Sequence, residues 1–326
     1  MRDNEGRIID YLRISITDRC NLRCIYCMPE EGIRQIEHER VLTYDQIVRV
    51  CEVLAEHGLK KIKITGGEPL VRKDAVKLMK ELKEIPGITS VTITTNGVLL
   101  EQYYDALVDA GIDAITVSLD TLKPDMYERI TRRQERNRVL KGIQKAVTEN
   151  KVRIKINCVP VFGLDDQDIF ALFEYARESD VDIRFIEMMP IGLGKQFSFV
   201  SEDSIKEMIE EKYGLMTLCH EKRGNGPCRY YSVPGLIGKV GFISAVSHKF
   251  CDTCNRVRLT SDGFFKTCLQ YDCGVSLRPL LAKNATKEKL WDAMEQAIRL
   301  KPKAHHFEDK KADNKDEVRA MSQIGG

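Results

Sequence analysis

Apolar and polar positions change period regularly through the first two thirds of the chain. Residues 11–17 (YLRISIT) alternate one by one, the mark of a strand with two different faces. Residues 44–57 place apolar side chains at helical spacing and stop at Gly58. KIKIT at 61–65 alternates again, and after Gly66-Gly67 helical spacing runs to about Glu84. Residues 90–95 predict a strand, the stretch up to Gly111 a helix, and 113–119 a strand. Helical segments over 125–130 and 135–150, a strand over 152–160, a helix over 165–179 and a strand over 181–187 complete the run.

Six strands separated by helices predict parallel, right-handed crossovers and an α/β fold. Six units fall short of the eight of a full barrel. The expected architecture is therefore a partial, open-sided (βα)6 barrel over residues 1–191. At 192–194 a glycine-rich hinge breaks the pattern. Short strand-like pieces over 195–280, a helix over 286–300 and a charged tail ending Ile324-Gly325-Gly326 follow. This mixed region, 192–326, is expected to close the barrel.

The strands are not uniformly apolar, as parallel strands buried on both faces would be. Arg13, Ser15 and Thr17 share one face of the first strand, Lys61, Lys63 and Thr65 one face of the second, and Arg153, Lys155 and Asn157 one face of the fifth. One side of the sheet should line a polar, cationic cavity.

The net charge of +2 argues against a nucleic-acid coating surface and leaves room for such a local pocket. No apolar stretch is long enough to span a membrane, and the first 20 residues lack a signal-peptide core, so a soluble, cytoplasmic protein is expected. There a disulfide framework is disfavoured, yet the chain has 11 cysteines. Cys20, Cys24 and Cys27 cluster near one end, and Cys251, Cys254 and Cys268 near the other, which suggests metal or cluster ligation.

The first group, C-x3-C-x2-C, follows the first strand. Three thiolates can hold three irons of a [4Fe–4S] cluster and leave the fourth iron open, whereas a structural zinc wants four closed ligands. Gly66-Gly67-Glu68-Pro69 directly follows the second strand, where glycines permit close backbone approach to a ligand. The second group, C-x2-C-x13-C, again offers three ligands. Cys273 is a candidate fourth, which would make a four-sulfur zinc site the alternative. Beside it, Arg256 and Arg258 alternate onto one face, and their guanidinium groups suit phosphate or a purine acceptor edge.

The cysteine string with Tyr26 between its second and third ligands, and the GGEP sequence, resemble the radical S-adenosylmethionine (SAM) superfamily. That resemblance implies a cluster whose open iron binds the methionine moiety of SAM and whose electron yields a 5′-deoxyadenosyl radical. It implies SAM contacts at Tyr26 and Gly67. The combination TDRCNLRCIYCMP, TGGEP, TTNG, VSLD, CDTCNRVRLTSDG and a terminal Gly-Gly, spanning about Gly6 to Gly326, resembles the GTP 3′,8-cyclase (MoaA) family of molybdenum-cofactor biosynthesis.

This closer resemblance implies a radical SAM lyase with two [4Fe–4S] clusters. It adds Ser118 and Met189 to the SAM contacts. It implies GTP contacts at Arg13, Lys63, Thr94, Lys155, Arg256 and Arg258, with Lys61, Arg184 and Asn255 as further candidates and Gly325 and Gly326 entering the site. Position 63 departs from the family, in which arginine is common. His305 and His306 are expected at the surface. Implied partners are a flavodoxin- or ferredoxin-like electron donor, the downstream cyclic pyranopterin monophosphate synthase and a homodimer partner; no nucleic acid and no membrane are expected. Two other readings stand beside this one: a radical SAM enzyme that modifies peptides and carries an auxiliary cluster, and a zinc-stabilised, tRNA-interacting module without catalysis.

Overall fold

The computed structural model describes residues 1–161, 166–221, 223–307 and 316–325. Its centre is the predicted alternation: β1 (Tyr11–Ser15), α1 (Tyr44–Glu56), β2 (Lys61–Thr65), α2 (Ala75–Glu84), β3 (Ser90–Thr95), α3 (Leu100–Asp109), β4 (Ala114–Ser118), α4 (Pro124–Thr131), α5 (Arg136–Glu149), β5 (Arg153–Cys158), α6 (Asp166–Arg177) and β6 (Asp182–Ile186). β1 to β6 pair in sequence order, all parallel. The apolar half of each alternating strand forms the core. Leu12, Ile14, Ile62, Ile64, Val91, Ile93, Ile115 and Val117 are essentially inaccessible and belong to one cluster with the buried faces of the helices.

Local chemistry sets the helix ends. Thr43 Oγ1 accepts from the Gln46 amide at 3.2 Å while Gln46 Oε1 accepts from the Thr43 amide at 3.0 Å, a reciprocal cap that starts α1. α5 stops at Asn150, whose φ of 47° a left-handed turn requires.

The C-terminal region is woven into the same sheet at both edges. After α7 (Glu202–Tyr213) come β7 (Thr217–Cys219), β8 (Arg229–Ser232), β9 (Val240–Ile243), β10 (Arg256–Leu259), β11 (Phe264–Lys266), β12 (Gly274–Ser276), α8 (Arg278–Ala282), α9 (Lys287–Arg299) and α10 (Met321–Ile324). The sheet order is β12-β11-β10-β1-β2-β3-β4-β5-β6-β9-β8-β7. β9 runs parallel to β6 and β10 parallel to β1, so the parallel array continues past six strands before antiparallel hairpins end it. α7 departs from the short strand-like pieces expected over 195–280. Its start is capped by Ser201, whose hydroxyl accepts from the Ser204 amide at 3.1 Å. No helix among the described residues is long and apolar enough to cross a membrane.

Candidate active site

The polar face of the sheet encloses a cavity of about 540 Å³ that both cysteine triads line. Strand register sets its wall in rows. Arg258, Arg13 and Lys63 are neighbours across β10, β1 and β2. Thr94, Thr116 and Lys155 form a second row, and Ser118, Asn157 and Arg184 a third.

The first cysteine loop is held by the end of α4. The carbonyls of Ile130 and Thr131, which a helix terminus leaves without intrahelical partners, accept from the amides of Ile25 and Arg23, each at 2.9 Å. Arg132 then donates to the carbonyls of Arg23 and Met28 at 3.1 and 3.2 Å. The GGEP segment runs beside this loop: Gly67 donates to the Thr17 carbonyl at 2.7 Å and Glu68 to that of Arg19 at 2.8 Å. A Cβ on Gly67 would collide with the Arg19 carbonyl, so only glycine permits the approach.

Burial, together with the neighbouring Glu68, pushes the Cys20 thiol up to about 11. Burial with Cys20 nearby lifts Cys27 to about 12, and burial with both other thiols drives Cys24 well above the ordinary thiol value. Three thiolates here oppose one another, and an iron cluster would relieve that repulsion. Asn96 Nδ2 donates to Asn21 Oδ1 at 2.7 Å and lies 3.7 Å from Cys20 Sγ.

Tyr26 donates to Asp120 Oδ2 at 2.7 Å, and Asp120 Oδ1 accepts from the Val159 amide at 2.8 Å. Burial raises Asp120 to about 6 against those two bonds. Glu68, fully buried, accepts from Leu70, Thr95 and Asn96 at 3.0, 2.8 and 2.6 Å; burial still raises it to about 7. Tyr26, Gly67, Ser118 and Met189 all line the cavity.

Lys63, Lys155, Arg184 and Arg258 bond to neutral oxygens. Lys63 Nζ lies 3.2 Å from Thr116 Oγ1 and 3.4 Å from Thr94 Oγ1, and Arg184 donates to the same Thr116 oxygen at 3.0 Å. Lys155 donates to the Arg223 carbonyl and reaches Tyr230 Oη at 3.3 Å. Arg258 donates to the carbonyl of Gly325. Burial, then repulsion from Arg184, Arg13 and Lys155, lowers the pKa of Lys63 far below the lysine range. Burial and Arg184 bring Lys155 to about 8. Burial likewise lowers Arg13 and Arg258. Several buried positive charges on one cavity wall call for a polyanion.

At the second triad burial raises Cys251. For Cys254 the same burial is outweighed by Arg256 and Lys301, which with hydrogen bonds from Arg256 bring it down to about 6. Lys301 Nζ donates to the carbonyl of Arg256 at 3.0 Å and also to that of Thr267, and the His305 amide reaches Cys251 Sγ at 3.4 Å. His305 is thus buried at the cavity, not at the surface as its sequence context suggests.

Cys273 contacts Thr267 Oγ1 at 3.3 Å and is not among the cavity-lining residues. Nor are Lys61 and Asn255: both side chains turn to Asp10, Lys61 Nζ at 2.7 Å and Asn255 Nδ2 at 2.6 Å. Gly325 packs on β1 and β2, where a Cβ would collide with Thr65 Oγ1. Gly326 lies outside the described residues. Glu68, Asn96, Asp120 and Lys301 were not among the expected contacts, although TGGEP, TTNG and VSLD contain the first three.

Among the described residues no three His, Cys, Asp or Glu side chains converge on a point that could hold a single metal ion. A zinc site gathers its sulfurs around one centre; a four-iron cube takes its thiolates on separate iron corners. The first triad, whose buried thiols repel one another, fits a cluster of that kind.

A radical SAM superfamily profile matches residues 14–176, and a Molybdenum Cofactor Synthesis C profile matches residues 181–307. The GTP 3′,8-cyclase of Petrotoga mobilis is 45% identical over 329 residues, covering 100% of each chain. The chain belongs to the GTP 3′,8-cyclase family. The family's member from Clostridium perfringens (strain 13) is 42% identical over 326 residues, again covering 100% of both chains. Among solved structures, Streptococcus suis SuiB bound to S-adenosylmethionine superposes with a TM-score of 0.61 at 16% identity, over 90% of this chain and 68% of that one. At that identity the likeness concerns the fold, and the fold is the expected partial radical SAM barrel.

Proposed function

We propose that this protein is a GTP 3′,8-cyclase, a radical SAM lyase that joins ribose C3′ of GTP to guanine C8. The observation that carries the reading is the placement of Arg13, Lys63, Lys155, Arg184 and Arg258, all largely withdrawn from solvent, on one cavity wall between two cysteine triads. A triphosphate supplies the negative charge those rows lack, and its oxygens would replace the hydroxyls and carbonyls that the cations now contact. Residues 1–191 form the SAM-binding barrel in this reading, and 192–326 contribute the second triad and the tail.

Cys20, Cys24 and Cys27 would hold one [4Fe–4S] cluster, and Cys251, Cys254 and Cys268 a second. When bound, the first supplies the electron that cleaves SAM to the 5′-deoxyadenosyl radical, the species that removes the ribose 3′ hydrogen. The protein's part is positional. Tyr26, fixed by Asp120, and Ser118 flank the SAM site, and Glu68 fixes the Gly66-Gly67 turn against the cysteine loop. Arg256 sits 4.9 Å over the Phe250 ring beside the second triad, placed for the nucleotide's base end, while Lys63, Lys155 and Arg184 take the phosphates. Gly325 holds the tail against β1 and β2, so that the nucleotide is confined from that side as well.

Anaerobically reconstituted protein given SAM, dithionite and GTP should release 5′-deoxyadenosine and a cyclised nucleotide. Release supported by a peptide and not by GTP would overturn the assignment in favour of peptide modification.

A further inference from the structure

Segments far apart in sequence meet at the second cysteine triad, and one side chain from the N-terminal turn touches two of them, at Cys251 and at 301–303. Arg7 is only 7% exposed. A guanidinium carries five N–H donors, and here each has an acceptor. Nε bonds Asp3 Oδ2 at 2.6 Å. Nη1 donates to the carbonyls of Cys251 at 2.9 Å and Lys303 at 2.8 Å. Nη2 donates to those of Pro302 at 2.7 Å and Lys301 at 3.4 Å. Three successive carbonyls, 301 to 303, therefore turn toward one planar cation, together with the carbonyl of a triad cysteine.

That strap reaches the rest of the triad. Lys301 Nζ ties down the carbonyl of Arg256, two residues beyond Cys254, and that of Thr267, the residue before Cys268. Two residues past the last Arg7 acceptor, the His305 amide points at Cys251 Sγ. Asp3 in turn is fixed by the amides of Arg7 and Glu5 at 2.9 and 3.1 Å, so the knot has its own rigid base.

We infer that Arg7 is a positioning residue for the second cysteine site: it shapes the 301–305 strap, and through the strap it sets the spacing of Cys251, Cys254 and Cys268. The inference rests on the reading of that triad as an iron–sulfur site. The role is geometric. Asp3 pairs with the Arg7 charge, while the cations beside Cys254 are Arg256 and Lys301. A lysine would place three donors at one point and cannot span acceptors arrayed around a planar fork.

The test is anaerobic reconstitution of the full chain and of Arg7→Lys, Arg7→Ala, Asp3→Asn and Cys251→Ala, read by iron content and electron paramagnetic resonance. The unaltered chain should bind about eight irons in two four-iron clusters. Both Arg7 variants should fall to about half that content. They should keep the SAM-induced change in the first cluster's signal and match the spectrum of Cys251→Ala. Asp3→Asn, which retains an acceptor for Nε but no charge, should keep the full content. Arg7 variants with full iron and an unchanged two-cluster spectrum would overturn the inference. So would loss of both clusters together in Arg7→Lys, the mark of a general folding role. If instead the unaltered chain carries only the first cluster, the reading of the triad fails, and not the role of Arg7 alone.

Discussion

At the scale of single residues, side-chain period and position along a strand carry different information. Lys61 and Lys63 share a face of β2, and alternation treats them alike. Only Lys63 reaches the cavity, because Lys61 stands at the strand's start, where Asp10 claims it. Asn255 is drawn to the same carboxylate. No spacing rule shows an acid far off in sequence competing for a cation. Lys155, by contrast, is legible from alternation alone, and its environment makes a pH prediction. Its folded pKa, lowered by burial and by Arg184 to about 8, lies below the ordinary lysine value. In its proposed role the ammonium holds phosphate below about pH 8; between 8 and the ordinary value the folded chain has released a proton that the unfolded chain still keeps, so folding stability rises with pH while the cation is lost. GTP affinity measured by calorimetry should therefore fall as pH rises through about 8, the Lys155 charge by itself contributing a loss of up to about tenfold per unit. Lys155→Arg should flatten that limb.

At the scale of elements, the six strands and the helices between them are readable because each has several turns or pleats of period. The strands β7 to β12 have three or four residues each; the sequence shows them as short strand-like pieces, and alternation puts Arg256 and Arg258 on one face, but their pairing partners often lie far off in sequence. The anchoring of the tail is equally hidden. Lys266, fully buried on β11, pairs with buried Glu317, and Arg319 bridges Glu317 and Asp272 at 3.2 and 2.8 Å while lying 4.5 Å over the Phe264 ring. These contacts deliver α10 and Gly325 to the site. Breaking a buried ion pair by removing one partner leaves an uncompensated charge and costs about 3–5 kcal/mol. Glu317→Gln keeps the shape and loses the charge. Chemical denaturation should show a destabilisation in that range or somewhat below it, and hydrogen exchange should show residues 317–325 losing protection first. A loss under about 1 kcal/mol, the scale of an exposed pair, with unchanged exchange would mean that the pair does not anchor the tail.

For the whole molecule, the sequence supports a partial barrel followed by a closing region, and the six alternating strands pair in parallel as expected. How the closing region attaches is not written in the same pattern. β9 and β10 are consecutive strands, yet they join opposite edges of the parallel array, one on β6 and the other on β1. Hydrophobic pattern identifies strands but not their neighbours, and a crossing from one edge to the other leaves no periodic trace.

This topology has a consequence in time. β1 ends at Ser15, but the strand that covers its outer edge begins at Arg256, so during synthesis at roughly 5–20 residues per second that edge waits tens of seconds for its neighbour. In the interval its amides and carbonyls form an open template next to Leu12 and Ile14, ready to pair with another nascent chain. A chain cut after residue 255 makes the wait permanent. It should enter the insoluble fraction on expression, whereas the chain carried through residue 326 should stay in solution; equal solubility of the two would mean that the uncovered edge is harmless to the unfinished polypeptide.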